Sequence, residues 1–260
     1  MGHLDGKVAL VTGGGRGIGR GISIALAREG AAVAINYRRD RESAESTRRA
    51  IVDAGGAATV HQASTDDPAD NVRLVAEVRA EIGDIDIAVI NGGVASKGRP
   101  VADTDAEEVW RLVATHALGP HQLCRSLLPS MRTRGRGDIV FISSVATSHM
   151  SANGAPYNMG KAAMEALAFT LAKEEMPHGI RVNIVAPGLV ETDMGVRLAR
   201  AITGRRDMND LRSMDDAAPF GRVCQPEDVA EAVLWFCSPG AAYVTGQRLE
   251  VDGGASGVRR

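Results

Sequence analysis

Short apolar runs alternate along this chain with longer stretches whose apolar positions recur at helical spacing. Val8–Val11, Val33–Asn36, Ala58–Gln62, Ile87–Ile90, Ile139–Ser143, Val182–Ala186 and Arg248–Val251 read as strands. Between them Gly17–Glu29, Arg41–Asp53, Pro68–Ile82, Ala106–Met131, Pro156–Met176 and Pro226–Cys237 read as helices, several with Pro or a capping residue near the start. Strands apolar on both faces, joined by helix-length connections, predict right-handed crossovers and a parallel sheet covered by helices on both sides. The expected fold is α/β, a doubly wound sheet of about seven strands. Its ligands bind beyond the carboxyl ends of the strands, so the residues just after each strand are where chemistry is expected.

Composition narrows the picture. A chain of 260 residues can form one large domain or two small ones. No repeat or linker-like stretch marks a boundary, so residues 1–260 are read as a single domain. Lys+Arg 30 against Asp+Glu 32 gives a net charge of -2. No global field therefore calls for nucleic acid or an anionic membrane. No apolar run is long enough to span a bilayer and the opening residues lack a signal core, so a soluble, unprocessed protein is expected. Cys124, Cys224 and Cys237 are odd in number and far apart, which fits a reducing cytoplasm and offers no metal spacing. The six histidines contain no His-Glu-x-x-His, and no metal is expected. Thirty glycines in 260 residues exceed the usual share of about 7%, so some should have backbone work to do.

The first strand runs into Thr12-Gly13-Gly14-Gly15-Arg16-Gly17-Ile18-Gly19 and a helix follows. Missing Cβ atoms and a helix amino end favour a pyrophosphate there, although tight turns in methyltransferases and in nucleotide-free proteins use the same pattern. Ser144 ends a strand, and Tyr157 and Lys161 open the next long helix as i,i+4 neighbours on one face. An ammonium beside a phenol is expected to lower its pKa and make Tyr157 an acid/base. Ser144 can hydrogen-bond a carbonyl oxygen as it gains charge. A packed tyrosine with a solvated lysine is the alternative for that pair alone.

Together these motifs resemble the short-chain dehydrogenase/reductase family from Lys7 to Gly254, nearest the 3-oxoacyl-thioester reductases. The glycine turn, Ser144 thirteen residues before Tyr157, Tyr157-x-x-x-Lys161, Pro187-Gly188 with Thr192, Thr245-Gly246-Gln247 and Val251-Asp252-Gly253-Gly254 carry the resemblance. It implies a Rossmann fold, a nicotinamide dinucleotide and a catalytic Ser144, Tyr157 and Lys161. It assigns cofactor contacts to Gly13, Gly15, Arg16, Gly17, Ile18, Gly19, Arg38, Ser64, Thr65, Asn91, Gly92, Gly93, Tyr157, Lys161, Pro187, Gly188, Val190 and Thr192. It also implies a homotetramer paired through long helices.

Three positions depart from the family pattern. Ile90-Asn91-Gly92-Gly93 replaces the usual Asn-Asn-Ala-Gly, and Ser64 stands where an aspartate accepts from the adenine amino group. In Ala114-Thr115-His116-Ala117-Leu118-Gly119, His116 takes the place of the fourth active-site residue, an asparagine that holds a water near the lysine through a break in its helix. A relay through His116 and a merely packed histidine are both open. His121 and His149 are weaker candidates, the latter for substrate contact.

No carboxylate ends the second strand, where Asn36-Tyr37-Arg38-Arg39 stands and Asp40 comes late. With Arg16 in the glycine turn, this favours NADP(H) over NAD. Residues 189–218 correspond to the family's substrate lid. There Met194, Leu198, Ile202, Met208, Leu211 and Met214 mix with Arg197, Arg200, Arg205, Arg206 and Arg212. That mixture suits an acyl group on an anionic carrier, and equally an amphipathic lid with a solvated outer face. The expected activity is NADP-dependent reduction of a carbonyl, for instance a 3-oxoacyl thioester, or the reverse oxidation. An NAD-dependent alcohol, steroid or sugar dehydrogenase and a non-catalytic dinucleotide-binding sensor or scaffold are the alternatives.

Overall fold

The apolar runs become β1 (Val8–Val11), β2 (Ala32–Tyr37), β3 (Ala57–Gln62), β4 (Ile87–Ile90), β5 (Gly137–Ile142), β6 (Ile180–Pro187) and β7 (Arg248–Val251). In the computed structural model they form one all-parallel sheet ordered β3-β2-β1-β4-β5-β6-β7. The structure describes residues 2–205 and 207–255, without the side chains of 201 and 202. Arg206 and the Ile202 side chain, both expected in the lid, lie outside the described residues.

The helices are α1 (Gly17–Arg28), α2 (Arg41–Asp53), α3 (Pro68–Ile82), α4 (Ala106–Val113), α5 (Gly119–Arg134), α6 (Ala146–His149), α7 (Ala155–Glu175), α8 (Asp193–Thr203) and α9 (Pro226–Cys237). Local chemistry sets several starts. The Asp40 carboxylate accepts from the Ser43 amide at α2, and Asp67 accepts from Ala69 ahead of Pro68 at α3. β1 and β4 are buried along their whole length, as strands covered on both faces must be. Helices α1, α2 and α9 cover one face through Ile22, Leu26, Ile51 and Val233. Helices α3, α5 and α7 cover the other through Leu74, Leu127 and Met164.

Most expected boundaries fall within two residues of those observed. The stretch Ala106–Met131 does not form one helix. A π-helical turn, Ala114–Leu118, separates α4 from α5. Pro120 has no N–H to give to the carbonyl four residues earlier, and the turn widens where that bond is missing. Gly119 follows, where a Cβ would lie 2.2 Å from the Thr65 carbonyl oxygen, so the helix packs directly on the loop after β3.

The chain adds β2 and β3 on one side of β1, then returns to place β4 on the other. The connections above β1 and β4 therefore part, and a cleft opens beyond their carboxyl ends.

Candidate active site

Thr12 ties the two central strands together at the floor of this cleft. Its hydroxyl donates to the Val89 carbonyl (3.3 Å) and accepts from the Asn91 (2.8 Å) and Gly92 (2.9 Å) amides. The Asn91 side chain donates back to the Thr12 carbonyl at 2.9 Å. Asn36, at the buried end of β2, accepts from the Gly13 amide (3.4 Å) and donates to the Ala63 carbonyl (3.1 Å). The glycine turn is thus held from three strands. Gly13 and Gly17 have φ of 61° and 51°, and a Cβ at Gly19 would sit 2.2 Å from the Gly13 carbonyl oxygen. Only glycine permits this cradle, and the free amides at the start of α1 point where an anion is favoured.

The cleft measures about 990 Å³, at the upper end of the range for small-molecule and cofactor sites. Gly13, Gly15, Arg16, Gly17, Ile18, Gly19 and Arg38 line it, with Thr65, Asn91, Gly92 and Gly93. His116, Tyr157, Lys161 and Thr192 line it as well. Residues scattered from 13 to 192 are thereby brought to one place. These side chains and amides fit an extended dinucleotide.

Five expected residues are not among the lining ones, although Ser144 hydrogen-bonds the lining Tyr157. Ser64, Ser144, Pro187, Gly188 and Val190 do not line the cleft. The Ser64 amide donates to Asp70 at 2.7 Å and its hydroxyl donates to the Asp66 carboxylate. Asp66 lines the cleft instead. Val190 is buried and bridges to Cys224, and the Gly188 amide is bound to the Val251 carbonyl at 3.0 Å. Pro187 accepts from the Val145 amide at 3.1 Å. Ser144 accepts from the Ala146 amide at 3.2 Å, beside the lining residues Ile142 and Ser143.

Lys161 is buried and donates to the Ile142 carbonyl at 2.8 Å, with its nitrogen 5.9 Å from the centre of the Tyr157 ring. Burial pushes its pKa down to about 7, against which Glu165 favours the charged form. The expected lowering of the Tyr157 pKa is not found. Burial raises it, and a hydrogen bond with the Ser144 side chain pulls it back down. The cause is geometry: the ammonium is engaged by the strand carbonyl, and the phenol has lost solvent on the same helix face.

His116 is fully buried in the π-helical turn. Its Nε2 lies 2.9 Å from the Val94 carbonyl oxygen, which can only accept, so Nε2 carries the proton. Nδ1 is then a lone-pair acceptor, and it has no partner. Burial, reinforced by the charge of Lys161, pushes the ring's pKa down to about 3, so it is neutral at physiological pH. The ring meets Tyr157 edge-on with centroids 5.3 Å apart. Glycines admit it on both sides: a Cβ at Gly160 would lie 3.1 Å from the His116 Cβ, and one at Gly93 would lie 2.8 Å from Cε1. Thr115, beside it on the cleft wall, has an equally unpartnered hydroxyl.

His121 lines a separate groove between α5 and α7, and His149 ends α6 outside the cleft lining. Among the described residues no group of three or more His, Cys, Asp or Glu side chains is placed to hold a metal ion. No helix among them is long and apolar enough to cross a membrane.

Of the expected lid residues, Met194 and Arg197 line the cleft. Met208 and Leu211 are buried in a small core of the lid's own with Val196 and Ala199, and Met214 packs against it. Leu198 is exposed. Arg200 fastens this unit by donating to the Met208 carbonyl at 2.6 Å. The lid's apolar residues therefore serve its own packing more than a substrate lining.

Asn36, Asp66 and Thr115 were assigned no role in the sequence reading. A polar residue at the inner end of a buried strand was the signal available for Asn36. The others sit in loops or a helix, with no spacing that marks them.

Comparison with known proteins places this geometry. Residues 13–256 match the family model described as enoyl-(acyl carrier protein) reductase. Versicolorin reductase 1 of Aspergillus parasiticus is 36% identical over 257 residues, covering 97% of both chains. The 3-oxoacyl-acyl-carrier-protein reductase FabG of Escherichia coli is 34% identical over 254 residues, covering 97% of this chain and 98% of its own. The crystal structure of levodione reductase superposes with a TM-score of 0.92 at 26% identity, covering 98% of this chain and 100% of that one. A Serratia marcescens short-chain dehydrogenase/reductase variant gives 0.86 at 32% identity, covering 98% and 99%. The chain belongs to the short-chain dehydrogenase/reductase family of NAD(P)-dependent oxidoreductases, among members similar to the 3-oxoacyl-thioester reductases.

Proposed function

We propose that the protein is an NADP-dependent reductase of a small-molecule carbonyl, built as one dinucleotide-binding and catalytic unit with a lid at about 189–218. The observation that carries this reading is the convergence of Tyr157 and Lys161 with the glycine turn in one cleft. A bound nicotinamide supplies the hydride in reduction, or accepts it in the reverse direction. The glycine turn and Arg16 would hold the phosphates, Asn91, Gly92 and Gly93 the adenosine side, and Lys161 and Thr192 the nicotinamide side. Pro187, Gly188 and Val190 act by placing Thr192. Ser64 orients Asp66 as an acceptor for the adenine amino group, and Thr65 offers its amide.

Tyr157 gives its proton to the substrate oxygen, and Ser144 donates a hydrogen bond to that oxygen as charge develops on it. A phenol whose pKa is raised holds its proton at neutral pH, which suits an acid. Lys161, poised near 7, steadies the charge on Tyr157 and draws its own proton through a water held by the unpartnered Nδ1 of His116 and Thr115 hydroxyl. His116→Asn is expected to keep most of the turnover. His116→Ala should lower it by at least about tenfold, below the 10²–10⁴ of a direct proton donor, with dinucleotide affinity unchanged. Steady-state turnover and melting temperature for the two variants check this, and a silent alanine variant with a lower melting temperature would assign the ring to packing alone.

The relatives named above as reductases of versicolorin and of 3-oxoacyl carrier-protein thioesters support reduction as the direction. For the substrate we favour a 3-oxoacyl thioester, and for the working assembly a cytoplasmic homotetramer, to which the exposed Met159 and Phe169 of α7 lend an apolar face. The test follows NADPH and NADH absorbance against ketones, 3-oxoacyl thioesters, quinones and steroids. Oxidation of NADPH by one class, faster than of NADH, is the expected result. Dinucleotide binding without turnover on any of them would favour a sensor.

A further inference from the structure

The segment that carries Ser144 is held from two directions by charged residues that belong to no motif. Glu165 lies on α7, one turn after Lys161, and Arg248 lies on β7, at the far end of the chain. Arg248 Nε donates to the Glu165 carboxylate at 3.0 Å, with side-chain exposures of 17% and 12%. The same carboxylate oxygen accepts from the Ser143 hydroxyl at 2.5 Å and lies 2.8 Å from the Thr147 hydroxyl. The Arg248 Nη2 group donates to the Ser144 carbonyl at 3.2 Å and to the Thr147 hydroxyl at 2.9 Å. Its Nη1 donates to Glu250 at 2.5 Å, and Glu250 accepts from the Ser148 hydroxyl at 2.8 Å.

We propose that Glu165 and Arg248 are positioning residues, a strut between α7 and β7 that sets the Ser144 segment against Tyr157. This deepens the proposed reaction and rests on it. The reasoning is geometric. Ser144 leaves the sheet at the end of β5, and its segment turns through α6 before reaching α7. Backbone hydrogen bonds to β6 end at Val145, which donates to the Pro187 carbonyl. Beyond that point Thr147 is tied to Glu165 and Arg248, and Ser148 to Glu250, which Arg248 holds. Charge-assisted bonds at low exposure are short and stiff, and a planar guanidinium that bonds a carboxylate, a carbonyl and a hydroxyl fixes direction as well as distance. A shift of about 1 Å in a reacting group can cost about 100-fold in rate, so a strut that prevents one matters to turnover.

Arg248→Met and Glu165→Gln are the test, alone and together, in the full chain. Each is expected to lower kcat by about tenfold or more while the NADPH dissociation constant, read by fluorescence, stays within about twofold. The double variant should lose no more than the worse single one, because each removes the same unit. Arg248→Lys, which keeps the charge and one bond, should fall between wild type and Arg248→Met, and it serves if the methionine variant folds poorly. Hydrogen exchange separates this idea from the reaction itself. Arg248→Met should speed exchange of the amides of residues 145–149 and leave those of β5 unchanged, whether or not a carbonyl substrate has been found. Unchanged exchange there, unchanged kcat, or losses that simply add would overturn the strut. A wild type inactive on every carbonyl, with exchange that rises in Arg248→Met, would sink the reductase reading and leave the strut standing.

Discussion

Tyr157→Phe is expected to lower turnover by about 10²–10⁴, the contribution of a positioned proton donor, with dinucleotide affinity nearly unchanged. The phenylalanine ring keeps the edge-on contact with His116 at 5.3 Å, so packing is conserved while the hydroxyl is lost. The substrate oxygen then gains charge with no acid beside it. Ser144 still donates a hydrogen bond but cannot surrender its proton at neutral pH. The electrostatic stabilisation from Ser144 therefore survives, and the loss is that of proton transfer. Steady-state rates with the substrate identified in the cofactor assay, together with fluorescence titration of the dinucleotide, measure both quantities. An active phenylalanine variant would falsify the assignment of Tyr157 as the acid.

Arg16→Ala and Arg38→Ala are each expected to cost about tenfold to a hundredfold in NADPH affinity and to leave NADH affinity nearly alone. That range corresponds to one lost charge-assisted hydrogen bond, about 1.5–3 kcal/mol. Both guanidinium groups are loosely engaged in the structure. Arg16 lies 3.7 Å from the Asp40 carboxylate and Arg38 lies 3.5 Å from that of Asp66, all four partly exposed. Such pairs contribute little to stability, so the arginines can turn to a 2′-phosphate at small cost. Asp40 is itself occupied, accepting from the Ser43 amide (3.0 Å) and hydroxyl (2.8 Å) at the start of α2. A carboxylate so engaged is poorly placed to take a ribose diol, which is the ground for expecting NADP over NAD. Titration of both dinucleotides against the two variants decides the matter, and equal losses for the two would reject the preference.

The central strands were legible because a sheet covered on both faces demands short, fully apolar runs, and β1 and β4 lie where the runs do. The glycine turn was legible for a similar reason: positive φ and sub-van-der-Waals approach admit one residue type, so the backbone leaves its mark in composition. Helical periodicity, by contrast, ran unbroken through Ala106–Met131, since a single extra residue in one turn barely disturbs the pattern. Pro120 and the helix break that the family resemblance implies at His116 marked the π-helical turn, and the periodicity did not.

What the sequence determined by itself was the order of elements and the identity of groups that must lie at strand ends, because both follow from local periodicity and fixed spacing. The tertiary structure alone decided what each group meets. Lys161 faces the Ile142 carbonyl, His116 donates a hydrogen bond to the Val94 carbonyl, and Glu165 meets Arg248 across the molecule. Those contacts depend on how α7, the π-helical turn and β7 cross the sheet, which is settled by the packing of both apolar faces at once. The environment then set the chemistry. Spacing alone promised a phenol acidified by its lysine neighbour, whereas burial, a property of the whole fold, left Tyr157 holding its proton and Lys161 ready to lose one.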